Sequence, residues 1–210
     1  MSEELHPPET ITSFYLIRHG HTEPTEQGKL YNDPEVELTE KGMAQSQNIG
    51  AWLKSESPDI LLSSSAFRVR STASLIEKAT GMQNTPLPEL DEWSVGEWEG
   101  RTYLDIKKND PEIYQSWVAD PIVNAPPGGE SIVDLCTRIN RRLKEVIAEH
   151  EGKSIALVTH AGVIRAILIE ALGAPVRNFW RIAVPTGSIS RVDFSENFAT
   201  IYYVSFVPSP

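Results

Sequence analysis

The sequence predicts an α/β fold, a three-layer sandwich in which a mostly parallel central sheet carries helices on both faces. Short apolar runs bounded by turn residues alternate with longer segments of helical period, the pattern of strands that cross over through helices. A late pair of runs, Ser188–Phe194 and Ala199–Phe206, reads as an antiparallel pair that closes the sheet. With 210 residues, 40% of them hydrophobic, the chain has apolar material for one sizeable core. A single domain is therefore expected over residues 11–210, after a flexible tail over residues 1–10.

In chain order, the first strand is expected over Ile11–Ile17. Thr39 then caps a helix that places Ile49, Trp52 and Leu53 on one face, with Pro58 beyond its end. Ile60–Ser63 follows as a strand and runs into a helix from about Phe67 to Ala79. Thr85–Leu87 is a weaker strand, which Pro86 and Pro88 assign to an edge or a strand end. Between Leu90 and Gly129 the period loosens, and Trp93, Trp98, Tyr103, Tyr114 and Trp117 are scattered among Asp, Glu, Pro and Gly. This stretch, about residues 90–129, reads as an excursion off the sheet and over the active site. Ser131 and Asp134 have the spacing of a capping box, and Ile132, Leu135, Ile139, Leu143 and Val146 continue at helical spacing to about His150. Ser154–Thr159 reads as a buried strand and Val163–Leu172 as a helix stopped by Gly173 and Pro175.

The balance of 19 basic against 29 acidic residues, a formal charge of -10, argues against nucleic acid and anionic membranes as partners. The most apolar late stretch, Ile155–Leu172, is broken by His160, Arg165 and Glu170 and does not qualify as a membrane span. Met1–Thr10 is acidic, contains proline and lacks an apolar centre, so neither a secretory signal nor a transit peptide is expected. The single cysteine, Cys136, excludes an internal disulfide and suits a core thiol in a cytoplasmic protein. A homodimer is an assembly the sequence allows.

Chemistry-bearing residues gather just past the expected strand ends, where ligands bind in an open parallel sheet. Arg18-His19-Gly20 ends the first strand, Arg68 lies shortly after the second, Glu92 after the third, and His160 directly after Ser154–Thr159. A neutral imidazole is a competent nucleophile near pH 7, and phosphoryl transfer depends mainly on positioning and charge stabilisation. His19 is thus the candidate nucleophile toward a phosphomonoester. Arg18 and Arg68 supply guanidinium forks for the phosphate oxygens, and a protonated His160 would add a third cationic donor. Glu92 is the candidate to protonate the leaving oxygen and later to deprotonate water, which requires burial or a neighbouring anion to hold its proton near working pH.

These residues stand within blocks that resemble the histidine phosphatase superfamily, the group that includes cofactor-dependent phosphoglycerate mutases. The blocks are Arg18-His19-Gly20 with Thr22; Leu38-Thr39 with Gly42 and Gln45; Ser63–Ala73 with Arg68 and Thr72-Ala73; and Leu90-Asp91-Glu92 with Gly96 and Trp98-Glu99-Gly100. Gly128-Gly129-Glu130-Ser131 and Thr159-His160-Ala161-Gly162 complete the series, in the family's order, over roughly Ile11 to Gly173. The resemblance implies a phosphoglycerate mutase-like fold, a phosphohistidine on His19, a phosphate pocket of Arg18, Arg68 and His160, and Glu92 as proton donor. It adds the backbone N–H of Ala161 as a further oxygen ligand and implies neither metal nor cofactor. Thr25 stands where relatives carry an asparagine used as an extra phosphate contact, and its hydroxyl is the candidate for that contact. His21 replaces a glutamate and reads as a polar rim of the pocket. Ser65 and Ala66 replace a Pro-Leu pair, a change expected to alter the turn more than the chemistry.

Blander readings apply to several neighbours. Arg70 competes with Arg68, and Asp91, Glu97 and Glu99 with Glu92. Helix capping accounts for Ser131 and Asp134, and the helix dipole for Glu130. Trp93 reads as packing that also serves as a pocket wall. Within the family the alternative is a mutase, which must bind the substrate carboxylate; the stretch from Glu97 to Pro127 carries only Arg101, Lys107 and Lys108 as bases, which favours a hydrolase of a small organic phosphate. The His19-x-His21 pair admits a metallohydrolase, though such pairs sit mostly on barrels of about 250 residues and need no flanking arginine. A non-catalytic phosphate-binding module could dispense with His19 or Glu92.

Overall fold

The computed structural model describes residues 10–209; apart from Thr10, the expected tail lies outside the described residues. Strands β1 (Thr12–Arg18), β2 (Ile60–Ser63), β3 (Asn84–Pro86), β4 (Ser154–Thr159), β5 (Ile189–Phe194) and β6 (Ala199–Phe206) form one sheet in the order β3-β2-β4-β1-β5-β6. β3, β2, β4 and β1 run parallel; β5 pairs antiparallel with β1, and β6 pairs antiparallel with β5. The helices are α1 (Glu23–Glu26), α2 (Glu40–Glu56), α3 (Phe67–Thr80), α4 (Tyr103–Asn109), α5 (Pro111–Ala119), α6 (Ile132–Glu149) and α7 (Ala161–Ala171).

Strand side chains alternate between two buried layers, as the two-residue period requires. Phe14, Leu16, Ile155 and Leu157 face α6 and α7 and pack with Leu135, Ile139, Ile164 and Leu168. Tyr15, Ile17, Ala156 and Val158 face the other way, onto Ile49 and Leu53 of α2 and Val69 and Ile76 of α3. Both faces of the sheet are therefore covered, and the parallel strands are apolar on both sides for that reason.

The expected elements recur within one or two residues, with Thr39 and Ser131 as side-chain caps and a full capping box at Ser131 and Asp134. β3 is an edge strand, as its prolines require. The excursion is more ordered than its loose period suggested. Thr102 and Asp105 form a second capping box for α4, and Pro111 opens α5. Both helices are too short for a hydrophobic period to declare itself, and they pack through aromatic pairs such as Tyr103 stacked on Trp117, centroids 5.3 Å apart. α7 begins at Ala161, two residues before the expected start, which brings the N–H groups of Ala161 and Gly162 to a helix N-terminus.

Candidate active site

Strand register brings the two histidines together. β1 and β4 are parallel neighbours in which Arg18 is opposite Thr159, and His19 N–H donates to the Thr159 carbonyl at 3.0 Å. The next residue on each strand is a histidine, and the rings of His19 and His160 lie with centroids 5.4 Å apart. On the other side of β4, Ser63 is opposite Val158, so Ser64 follows beside His160. The three strand ends thus deliver His19, His160 and Ser64 to one point, all of them buried.

Hydrogen bonds define the state of each ring. His19 Nδ1 lies 2.8 Å from the Gly20 carbonyl, an acceptor, so Nδ1 carries the proton and Nε2 carries the lone pair. His160 Nδ1 lies 3.3 Å from Arg68 Nη2, which can only donate; Nδ1 is therefore an acceptor, and Nε2–H donates to Ser64 Oγ at 2.7 Å. Burial, then the Arg18 and Arg68 charges, hold the His19 pKa well below 6.5. Burial and the nearby Arg68, His19 and Arg18 do the same for His160. In the free protein these hydrogen bonds fit a neutral His160 ring that accepts from Arg68.

Arg68 is in the first turn of α3, 1% exposed, and its Nη1 donates to the Asp33 carbonyl at 2.8 Å. Its guanidinium lies over the Tyr31 ring, 4.8 Å from the centroid. Arg70, the competing assignment, is exposed. Arg18 Nη1 donates to the Val184 carbonyl at 2.6 Å. The Nε atoms of both Arg18 and Arg68 are buried with no hydrogen-bond partner among the described residues, two cationic donors whose natural complement is an anion.

Glu92 sits at the start of α7. Both its carboxylate oxygens accept from the Gly162 N–H at 3.1 Å, and Oε1 also accepts from the Trp93 N–H at 2.9 Å. A Cβ on residue 162 would collide with Glu92 Oε1, so only glycine admits this approach. The N–H of Ala161, at the first position of α7, has no intrahelical partner. Glu97 and Glu99 are exposed, and Glu99 instead accepts from the N–H groups of Asn32 and Asp33, steadying the loop that holds Arg68.

A cavity of about 190 Å³ opens beside these groups, walled by Arg18, Glu92 and Gly162 on one side and by Trp93, Tyr103 and Trp180 on another. His19, Arg68 and His160 are buried and do not line this cavity; Arg18 lines it directly, and Tyr31 both lines it and packs under the Arg68 guanidinium. Trp93 is a wall residue, as its sequence position suggested. Tyr31 and Arg165 also line the cavity and were missed: neither stands at a strand end or in a recognisable block. Arg165 is held by Nε donation to the Ile182 carbonyl at 2.8 Å and lies over the rings of Phe179 and Trp180.

Thr25 and His21 both have protein partners in this structure. The Thr25 hydroxyl, expected on the phosphate, is already engaged with Tyr31 Oη at 2.8 Å and Thr22 Oγ1 at 2.9 Å, and Tyr31 is the member of that trio beside Arg68. His21, expected at the pocket rim, turns to α2: its N–H donates to Gln45 Oε1 at 2.8 Å, its Nδ1 lies 2.9 Å from Thr39 Oγ1, and its carbonyl accepts from Thr39 N–H. It therefore braces the cap of α2. Among the described residues no group of three or more His, Cys, Asp or Glu is arranged to hold a metal ion. Ser65 donates from N and Oγ to Asp91, at 2.7 and 2.5 Å, which makes the altered turn a tether for the Glu92 segment. Cys136 is buried on α6, with its thiol pKa pushed up to about 11 chiefly by burial.

Residues 14–205 match the histidine phosphatase superfamily (branch 1). An adenosylcobalamin/alpha-ribazole phosphatase of Salmonella typhimurium is 31% identical over 187 residues, covering 89% of this chain and 93% of that protein. A metal-independent phosphoserine phosphatase of Arabidopsis thaliana is 31% identical over 171 residues, covering 80% and 72%. The crystal structure of the alpha-ribazole phosphatase from Shigella flexneri superposes with a TM-score of 0.85 at 29% identity, over 94% of this chain and 98% of that one. By sequence and by fold, the chain belongs to the histidine phosphatase superfamily.

Proposed function

We propose that the chain is a metal-independent phosphomonoesterase that passes the PO₃ group of a small organic phosphate first to Nε2 of His19 and then to water. The observation that carries this reading is the His19 tautomer: with Nδ1–H bound to the Gly20 carbonyl, Nε2 keeps the lone pair, on a ring that feels the charges of Arg18 and Arg68, each of which has a buried Nε–H without a partner among the described residues. Depression of the His19 pKa keeps that base unprotonated at neutral pH.

In the first step Nε2 attacks phosphorus and the bond to the ester oxygen breaks. Arg18, Arg68 and the Ala161 N–H stabilise charge on the three equatorial oxygens, and the bound phosphate dianion, by offsetting the surrounding cations, favours the His160 imidazolium, which adds an N–H donor. Glu92, protonated, gives its proton to the leaving oxygen. In the second step water attacks phosphorus, Glu92 takes the water proton, and the P–N bond breaks to restore His19. Tyr31 borders both the cavity and Arg68, so the route to His19 runs past its ring.

Aromatic walls and the cations Arg18, Lys29 and Arg165 around a compact cavity favour a small substrate with a flat or weakly anionic body. The relatives named for alpha-ribazole and phosphoserine lie at the two ends of that range. A mutase reading is disfavoured because the excursion brings no base to the cavity: Arg101 is spent on Asp110 at 2.5 Å, and Tyr103 is the cavity residue that the 97–127 stretch contributes. A single free cysteine, Cys136, is consistent with the cytoplasm. The test is phosphate release over a panel of small phosphomonoesters with chelator present. Release of free phosphate without isomerisation supports the reading; loss of all activity on chelation, restored by zinc, or an isomerised product, refutes it.

A further inference from the structure

The segment that carries Glu92 is fastened by an ion pair that the two chemical steps leave unused. Arg138, on α6, donates from Nη1 to the carbonyls of Glu89 at 2.8 Å and Asp91 at 3.1 Å. Its Nε and Nη2 form a fork onto Glu130 Oε1 and Oε2, at 3.0 and 2.9 Å. The Glu130 backbone holds the far side of the same segment: its N–H donates to the Ser94 carbonyl at 2.9 Å, and its carbonyl accepts from the Trp93 indole N–H. Asp91 is tied separately to Ser65. Residues 89, 91, 93 and 94 are therefore all fixed, and the Glu92 carboxylate between them is the group left to face Gly162 and the cavity.

The pair is only partly buried, with side chains 26% and 17% exposed, and such pairs add little to stability by themselves. Its geometry has a different use. A guanidinium locked in plane by a carboxylate loses little freedom when it also holds two carbonyls, and the stretch between β3 and α4 lacks a sheet ladder to do so. A carboxylate just ahead of the Ser131 cap, interacting only with the dipole of α6, would not require Arg138 to reach back to residues 89 and 91.

We infer that Glu130 and Arg138 are positioning residues that aim Glu92 at the leaving oxygen, an inference that rests on Glu92 being the proton donor. It predicts a defect graded by the leaving group. The kcat/KM values of the wild type, Arg138→Ala, Arg138→Lys, Glu92→Gln and the Arg138→Ala/Glu92→Gln double variant are measured over phosphate esters from 4-nitrophenyl to simple alkyl, with thermal melts of each. Arg138→Ala should lose about 10- to 100-fold on alkyl phosphates and less than about threefold on 4-nitrophenyl phosphate, because a small misplacement of the acid matters only where a proton is needed. Arg138→Lys should recover part of the loss, and the double variant should be no worse than Glu92→Gln. A uniform loss across the series, or a double variant in which the two losses multiply, overturns the inference. A graded Glu92→Gln profile beside a flat Arg138→Ala profile overturns this inference alone, whereas a flat Glu92→Gln profile removes the proton-donor assignment and this inference with it.

Discussion

Ser64→Ala isolates one hydrogen bond at the floor of the site. Ser64 and His160 are both fully buried, and Ser64 Oγ accepts the His160 Nε2–H at 2.7 Å. Removing the oxygen strands a buried donor, which costs about 1–3 kcal/mol. The ring cannot escape by changing tautomer, because Nδ1–H would then face the Arg68 Nη2 donor at 3.3 Å. For a chain of this size each kcal/mol lowers Tm by roughly 2–4 °C, so a fall of about 2–12 °C is expected by differential scanning fluorimetry. Turnover should fall with it, by about 10- to 100-fold in phosphate release, since His160 no longer holds one orientation beside His19. A melt and a turnover both at wild-type level would refute the argument, as would a lower melt with full turnover, which would detach His160 from the reaction.

Three further expectations follow from the structure. His19 and His160 have folded pKa values below their ordinary 6.5, so the unfolded chain binds more protons as pH falls, and stability is full above that value and lost below it. Chemical denaturation between pH 6.5 and 5 should show a loss of up to about 2.7 kcal/mol per pH unit if both rings resist protonation, and a flat profile there would contradict it. Gly42→Ala would drive a Cβ into the His21 backbone where α2 meets the nucleophile loop, so urea unfolding should register a loss of about 1–3 kcal/mol. Arg68→Lys removes the fork while retaining a charge, and kcat/KM should fall on the order of 100-fold; retention of wild-type kcat/KM would show that charge alone suffices.

Much of this site could be read before any coordinates. The parallel strands announce themselves by short apolar runs, and His19, Arg68, Glu92 and His160 stand just past them or in the turns that follow. What could not be read is register. Nothing local says that Ser63 is opposite Val158, so Ser64 gave no sign of meeting His160. Tyr31 and Arg165 come from a loop and a helix face, where a polar residue is ordinarily solvated surface, and their place in the cavity depends on tertiary packing. Arg138 stands at a half-buried position of α6, where a base carries no sequence signal of its role. The partners of Thr25 and His21 were hidden for a related reason: a hydroxyl or an imidazole in a turn has several groups within reach, and here Tyr31 and Thr39 take them. The helices of the excursion were hidden by their shortness, although Thr102 with Asp105 and Pro111 carried the capping signals.

The central claim is tested most directly by trapping the intermediate. Wild-type protein mixed with a phosphorus-labelled ester and quenched within its first turnover should carry acid-labile, base-stable phosphate, and mapping should place it on Nε2 of His19, with none in His19→Ala. Label on another residue or on Nδ1 of His19, or multiple turnovers by His19→Ala, would contradict it.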